Sequence, residues 1–145
     1  MNNSKIIGIG SALPNMIVTN NDLSKTLETS DEWISTRTGI KERRVSDEKT
    51  STSDLAFKAV QKALKVSNIN PKEIDLIITG TTSPDTLFPS VSCIIQDLIG
   101  ADNAAAFDIS AACSGFNYAL TTASKFISTC QHKNALVIGA DTLTK

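Results

Sequence analysis

Cys113 stands in the run Asp108-Ile109-Ser110-Ala111-Ala112-Cys113-Ser114-Gly115-Phe116, where β-type residues give way to a helical pattern. A cysteine on the first turn of a helix faces unpaired backbone N–H groups and the positive end of the helix dipole, and both favour a thiolate. Ala111, Ala112, Ser114 and Gly115 are small, which leaves room for a tight strand-to-helix turn and for a substrate to approach the sulfur. The same geometry presents the serine of a nucleophile elbow. The plainer alternative is a structural cysteine buried in the core, and the local pattern leaves both open.

A Cys–His pair would have to use His132, the sole histidine. Cys113 opens the long helical pattern and His132 follows its far end, which separates the two by roughly 25–30 Å at helical rise. A nucleophile and its base must come within about 3 Å. His132 therefore reads as a residue near a helix C-terminus, and any base for Cys113 lies outside this sequence. Cys93 and Cys130 read as packing residues, Cys130 on the apolar stripe of the long helix. The three cysteines form neither a disulfide framework nor a metal knuckle, and no metal site is expected. Gly8-Ile9-Gly10 begins like a dinucleotide loop, but Leu13 and Pro14 follow where a third glycine and a helix should be.

The segment Thr29–Val45 holds Trp33 and all three arginines, Arg37, Arg43 and Arg44. Trp offers a stacking face and Arg a planar fork for phosphate, so together they could hold an adenine nucleotide moiety. The alternative is a surface loop in which Trp33 plugs the core and the arginines are solvated.

The elements that must position these residues follow from hydrophobic periodicity. Lys5–Ile9, Ile74–Thr79, Ala104–Ile109 and Ala135–Gly139 read as strands, with Ala104–Ile109 expected at the centre because it is small or apolar on both faces. Asp22–Leu27 reads as a short helix capped from Thr19–Asn21. Leu55, Ala56, Ala59, Val60, Ala63 and Leu64 recur at helical spacing behind a Thr50–Ser53 cap. Val91–Ile99 forms a third helix stopped by Gly100, and Phe116 to Cys130 the longest. Thr29–Val45 fits neither template. Alternating strands and helices imply parallel pairing, and continuous apolar strands imply cover on both faces. The expected fold class is a layered α/β domain, one continuous domain over 1–145.

Of the 145 residues 41% are hydrophobic and 20% charged, and the formal charge is -1. That excludes a disordered tail and argues against nucleic acid or an anionic membrane as a partner, since both need a basic face. No apolar run approaches a membrane span. The N-terminal residues make no signal-peptide core, and unpaired cysteines suit a reducing cytoplasm.

Thr29-Ser30-Asp31-Glu32-Trp33-Ile34, Thr36-Arg37-Thr38-Gly39-Ile40 and Glu42-Arg43-Arg44 resemble a hallmark of the β-ketoacyl-acyl-carrier-protein synthase III family. So do Thr81-Thr82-Ser83-Pro84 with Phe88-Pro89-Ser90, the Ala111–Phe116 cysteine motif, and Gly139-Ala140-Asp141. The resemblance runs in order through essentially the whole chain. It implies the N-terminal half of a thiolase-like fold and the decarboxylating condensation that starts type II fatty-acid synthesis. Cys113 would then accept an acyl group, typically acetyl, from acyl-CoA. The carbanion formed from malonyl-acyl carrier protein would attack that thioester. By position, Thr29, Trp33 and Arg37 would contact CoA, and Phe88 would reach across a dimer interface to shape the partner's acyl pocket. Acyl-CoA is a substrate, and no cofactor is implied. The family's catalytic His and Asn, an oxyanion glycine and the basic residues for the carrier protein belong to its other half. The chain is expected as a homodimer or paired with such a C-terminal half. A non-catalytic assembly module is the competing function. Hydroxymethylglutaryl-CoA synthase or a polyketide starter synthase is the competing enzyme class, which the TSDEWI segment argues against.

Overall fold

Thr19, at the end of a short strand, starts the first helix of the computed structural model, which describes residues 3–144. The backbone divides into two compact units, Leu13–Thr50 with Thr144, and a second formed by the residues up to Ala12 with Ser51–Leu143.

The first unit holds β1 (Met16–Thr19), α1 (Asn20–Leu23), α2 (Asp31–Thr38) and β2 (Glu42–Val45). β1 and β2 pair antiparallel, Met16 opposite Val45 and Thr19 opposite Glu42. The Thr19 hydroxyl accepts from the Asp22 N–H at 3.2 Å, and the Thr19 N–H donates to the Asp22 carboxylate at 3.0 Å. This reciprocal cap starts the helix two residues before the expected Asp22. α2 and β2 escape periodicity analysis because α2 buries only Ile34 and β2 has four residues. A polar hub does much of what a core would do. Buried Asn20 donates through Nδ2 to Asp31 Oδ1 at 2.8 Å and to the Ile40 carbonyl at 2.7 Å, and its Oδ1 accepts from Arg43 Nη2 at 2.8 Å.

The second unit runs α3 (Thr52–Ser67), β3 (Leu76–Gly80), α4 (Val91–Ile99), β4 (Ala105–Ile109), α5 (Gly115–Ser128) and β5 (Ala135–Gly139). Its three strands are parallel, in the order β4-β3-β5, with Leu76 opposite both Ala105 and Ala135. β3, not Ala104–Ile109, is the centre. Every residue of β3 is buried, whereas β4 is an edge. Small side chains permit cover on both faces without requiring it. The faces of β3 separate cleanly. Ile77 packs with Ala56, Val60, Val91 and Ile95 of α3 and α4, and Leu76 and Ile78 pack with Ala119 and Ala123 of α5. Burying each of the Val, Leu and Ile side chains among them stabilises the fold by about 1.5–3 kcal/mol.

Lys5–Ile9 does not pair as a strand. It runs along α3, where the Lys62 ammonium donates to the Ser11 carbonyl at 2.7 Å. A Cβ on Gly8 would lie 2.5 Å from the Ala63 carbonyl oxygen, and one on Gly10 would collide with that of Ala59. These glycines permit close helix packing, which accounts for Gly8-Ile9-Gly10 without a nucleotide. A strand needs a neighbouring backbone edge as well as a β-rich pattern, and among the described residues β5 pairs only with β3. Cys130 is also displaced from its expected place. α5 ends at Ser128, and Cys130 lies beyond it, exposed, at φ +59°. Among the described residues no helix is long and apolar enough to cross a membrane.

Candidate functional site

The chain leaves β4 at Ile109 and turns sharply before entering α5. Ala112 takes φ +45°, a left-handed conformation uncommon for a residue with a Cβ. Ala112–Ser114 then forms one 3-10 turn, with the Ser114 N–H donating to the Ala111 carbonyl at 3.0 Å. Cys113 sits on that turn, exposed, immediately before α5. Strain of this kind persists only where the surroundings over-determine it, and here β3 supplies them. A Cβ on Gly80 would overlap the Gly115 carbonyl carbon and lie 2.6 Å from the Phe116 nitrogen. The Thr81 N–H donates to the Ile109 carbonyl at 3.1 Å. Residues 80 and 81 therefore hold both ends of the cysteine turn.

Asp141, just past β5, gathers the loop that follows β3. Its Oδ1 accepts from the Thr82 N–H at 2.8 Å, the Ser83 N–H at 3.1 Å, and the hydroxyls of Ser83, Thr82 and Thr81 at 2.9, 3.0 and 3.3 Å. Desolvation raises the Asp141 pKa, but the Thr82 N–H and the three hydroxyls outweigh it and hold the group below the ordinary carboxylate value. Sequence reasoning met Asp141 and the Thr81–Ser83 run only as separate motifs, and had no signal that one clasps the other. Nor did it have a signal for the left-handed Ala112.

Cys113 and Ala112 open onto a cleft of about 1210 Å³. The cleft is lined by the Ser4–Gly10 segment, by one side of α3 and one of α5, and by β5 through Asp141. His132 lies at the opposite end of α5, with Nδ1 3.7 Å from Asp75 Oδ1 and its ring edge-on to Phe126 at 5.3 Å. It takes no part in the cysteine turn. Cys93 is partly buried on α4, its thiol 3.8 Å from the Ala106 carbonyl. Phe88 and Leu87 project from the loop after Ser83, 89% and 97% exposed, and the Phe88–Pro89 peptide is cis.

In the other unit, α2 starts where the Trp33 N–H donates to Ser30 Oγ at 3.0 Å. Trp33 does not plug a core. It is 53% exposed, and the Arg37 guanidinium stacks over its ring with Cζ 4.4 Å from the centroid. Arg43 and Arg44 are held by this unit itself, donating to the Val18 carbonyl at 3.1 Å and the Pro14 carbonyl at 3.3 Å. That leaves Arg37 as the arginine presented with the tryptophan. Thr29 precedes the helix, and its buried Oγ1 has no hydrogen-bond partner among the described residues.

The profile of the 3-oxoacyl-[acyl-carrier-protein] synthase III family matches residues 107–145, the stretch that contains the cysteine turn and Asp141. The β-ketoacyl-[acyl-carrier-protein] synthase III of Clostridium acetobutylicum is 60% identical over all 145 residues, which cover 44% of that relative. Over its whole length the chain is similar to β-ketoacyl-acyl-carrier-protein synthase III enzymes. Solved members superpose closely. The enzyme of Aquifex aeolicus VF5 does so with TM-score 0.93 and 52% identity, over 97% of this chain and 45% of that one. The Thermus thermophilus enzyme gives 0.92 and 42%, over 97% and 44%. The priming β-ketosynthase of the R1128 polyketide pathway matches at 0.85 and 34%, over 88% and 38%. The fold is thus the thiolase-like α/β half-domain, and the chain spans about 44% of the length of its synthase III relatives.

Proposed function

We propose that residues 1–145 are the N-terminal thiolase-like domain of a β-ketoacyl-acyl-carrier-protein synthase III and carry the acyl-accepting step of its decarboxylating condensation. The observation that supports this most is Cys113 itself: exposed, on a strained turn at the mouth of α5, and bordering a cleft. In this reading the Cys113 sulfur attacks the thioester carbonyl of an acyl-CoA. The new C–S bond forms as the bond to CoA breaks, and the CoA thiolate leaves. The carbanion left when malonyl-acyl carrier protein loses carbon dioxide then attacks the acyl-cysteine carbonyl, and Cys113 leaves as thiolate. Trp33 and Arg37 suit the nucleotide end of CoA, the ring for the adenine and the guanidinium for a phosphate, with Thr29 beside them in sequence. Phe88 is an apolar side chain presented to a second copy across a dimer interface. The cytoplasm is the compartment this role requires. The likeness to the R1128 priming β-ketosynthase marks the alternative, a polyketide starter synthase.

Acylation and condensation separate experimentally. Cys113 needs no histidine to accept an acyl group if its turn activates it, whereas condensation needs donors that stabilise the developing enolate. Loss of one such donor typically costs about 10²–10³ in rate, and the sole histidine of this chain lies far from Cys113. Mass spectrometry after limited iodoacetamide or acetyl-CoA should find Cys113 modified before Cys93 and Cys130, abolished in Cys113→Ser. The same sample should yield negligible ketoacyl product. Equal modification of the three cysteines would overturn the nucleophile assignment, and robust condensation would overturn the account of the base.

A further inference from the structure

We propose that Asp141 is a positioning residue for Cys113, acting through the loop after β3 as a clasp that sets the cysteine turn. The proposal deepens the nucleophile reading above and rests on it for its functional meaning. The turn from Ser110 to Ser114 has two fixed ends. Before it, the Ile109 carbonyl accepts from the Thr81 N–H at 3.1 Å. After it, Gly115 abuts Gly80 so closely that a Cβ on Gly80 would lie 2.4 Å from the Gly115 carbonyl carbon. Both anchors are consecutive residues at one strand end, and beyond them the chain enters a loop with no strand partner of its own. Asp141 Oδ1 collects five donors from Thr81, Thr82 and Ser83. The chain just past β5 reinforces the clasp, since the Ala140 N–H donates to the Gly80 carbonyl at 3.2 Å and the Thr142 N–H to Ser83 Oγ at 2.8 Å. A third element closes it from α3, where Thr52 Oγ1 donates to the Ser83 carbonyl at 2.5 Å. Asp141 and Cys113 border the same cleft. Helix caps do not explain this carboxylate: its donors come from a loop some 60 residues away in sequence, not from the first turn of a helix.

Asp75 provides a matched comparison at the other end of the same strands. Its two carboxylate oxygens accept from the Lys133 and Asn134 N–H groups at 2.8 and 3.0 Å, so it ties β3 to β5 as Asp141 does, but away from the cysteine turn. Asp141→Ala, Asp141→Asn and Asp75→Ala are made in the full 145-residue chain. Two quantities are read: the iodoacetamide rate at Cys113 relative to Cys93, and hydrogen–deuterium exchange of the peptide spanning residues 110–116. Asp141→Ala should lower the Cys113:Cys93 ratio about tenfold, since small displacements of a reacting group carry costs of this order. It should also raise exchange in that peptide. Asp141→Asn keeps an acceptor oxygen in the Oδ1 position and should retain most of the ratio. Asp75→Ala should leave the ratio and the 110–116 exchange unchanged even where it lowers stability. If the two alanine variants change ratio and exchange alike, Asp141 is only a structural clasp and the proposal is overturned. It is equally overturned if Asp141→Ala changes neither. If the unaltered chain shows no preference for Cys113, the nucleophile reading fails. The exchange comparison then still decides whether Asp141 sets the turn.

Discussion

Asn20 and Asp31 show how much of the smaller unit rests on single polar side chains. Asn20 uses both ends of its amide inside the unit, and a buried donor or acceptor left without its partner costs about 1–3 kcal/mol. Asp31 is held below the ordinary carboxylate value of 3.8, first by the Asn20 amide and then by the Ser35 hydroxyl, against a desolvation that raises it. A carboxyl whose folded value is depressed stabilises the fold above its unfolded value. That contribution is lost as pH falls through the folded value. This contribution to the smaller unit should therefore fade as pH falls below 3.8. Asp31→Asn should flatten that dependence. Trp33, the one tryptophan, reports it through its fluorescence as the Arg37 stack breaks. An acid transition unchanged in Asp31→Asn would assign the dependence to other carboxylates. Asp22 is one of these, lowered chiefly by its hydrogen bond from Lys25.

At the level of elements, the decisive contact is β3 against the start of α5. Gly80 and Gly115 meet backbone to backbone, and an added methyl group meets carbonyl carbon and amide nitrogen, which cannot rotate away. Gly80→Ala should therefore push the cysteine turn outward as well as destabilise the sheet. The overpacking cost is about 1–3 kcal/mol, and labelling at Cys113 should fall relative to Cys93. Thermal melting with paired alkylation checks this, and a variant with unchanged stability and unchanged labelling would refute the contact. The central position of β3 makes the effect large, because that strand is buried on both faces while carrying the loop that Asp141 clasps.

Across the larger unit as a whole, apolar surface is distributed unevenly. Ile6, Ile7 and Ile9 of the extended segment and Phe116, Tyr118 and Leu120 of α5 are all exposed. The extended segment and α5 both border the cleft. Apolar side chains exposed around one cleft suit an interaction surface. The 145-residue chain should bind a hydrophobic fluorescent dye and elute from a sizing column as a dimer or larger species. A clean monomer that binds no dye would show that this surface is covered in solution by the chain itself.

Local rules decided a large share of this protein in advance. The i, i+3, i+4 stripe of Val91–Ile99 and its Gly100 stop appear as written in the sequence. So does the strand Ala135–Gly139, because amphipathic period and glycine termination act over a single turn. The placement of Cys113 between a β-type run and a helix was legible for the same reason, as was the distance that removes His132 from it. The motifs around Trp33 and Cys113 were legible as a family pattern, and the similarity to synthase III relatives bears that resemblance out. What no local rule contains is which edges meet. Lys5–Ile9 has the composition of a strand yet lies along α3, because pairing depends on a neighbour rather than on composition. β3 rather than β4 takes the centre for the same reason. The left-handed Ala112, the Gly80–Gly115 contact and the grip of Asp141 on a loop some 60 residues away exist only once three strands have brought their ends together. Each is a contact between distant parts of the chain, and burial and hydrogen-bond satisfaction across the assembled sheet select it.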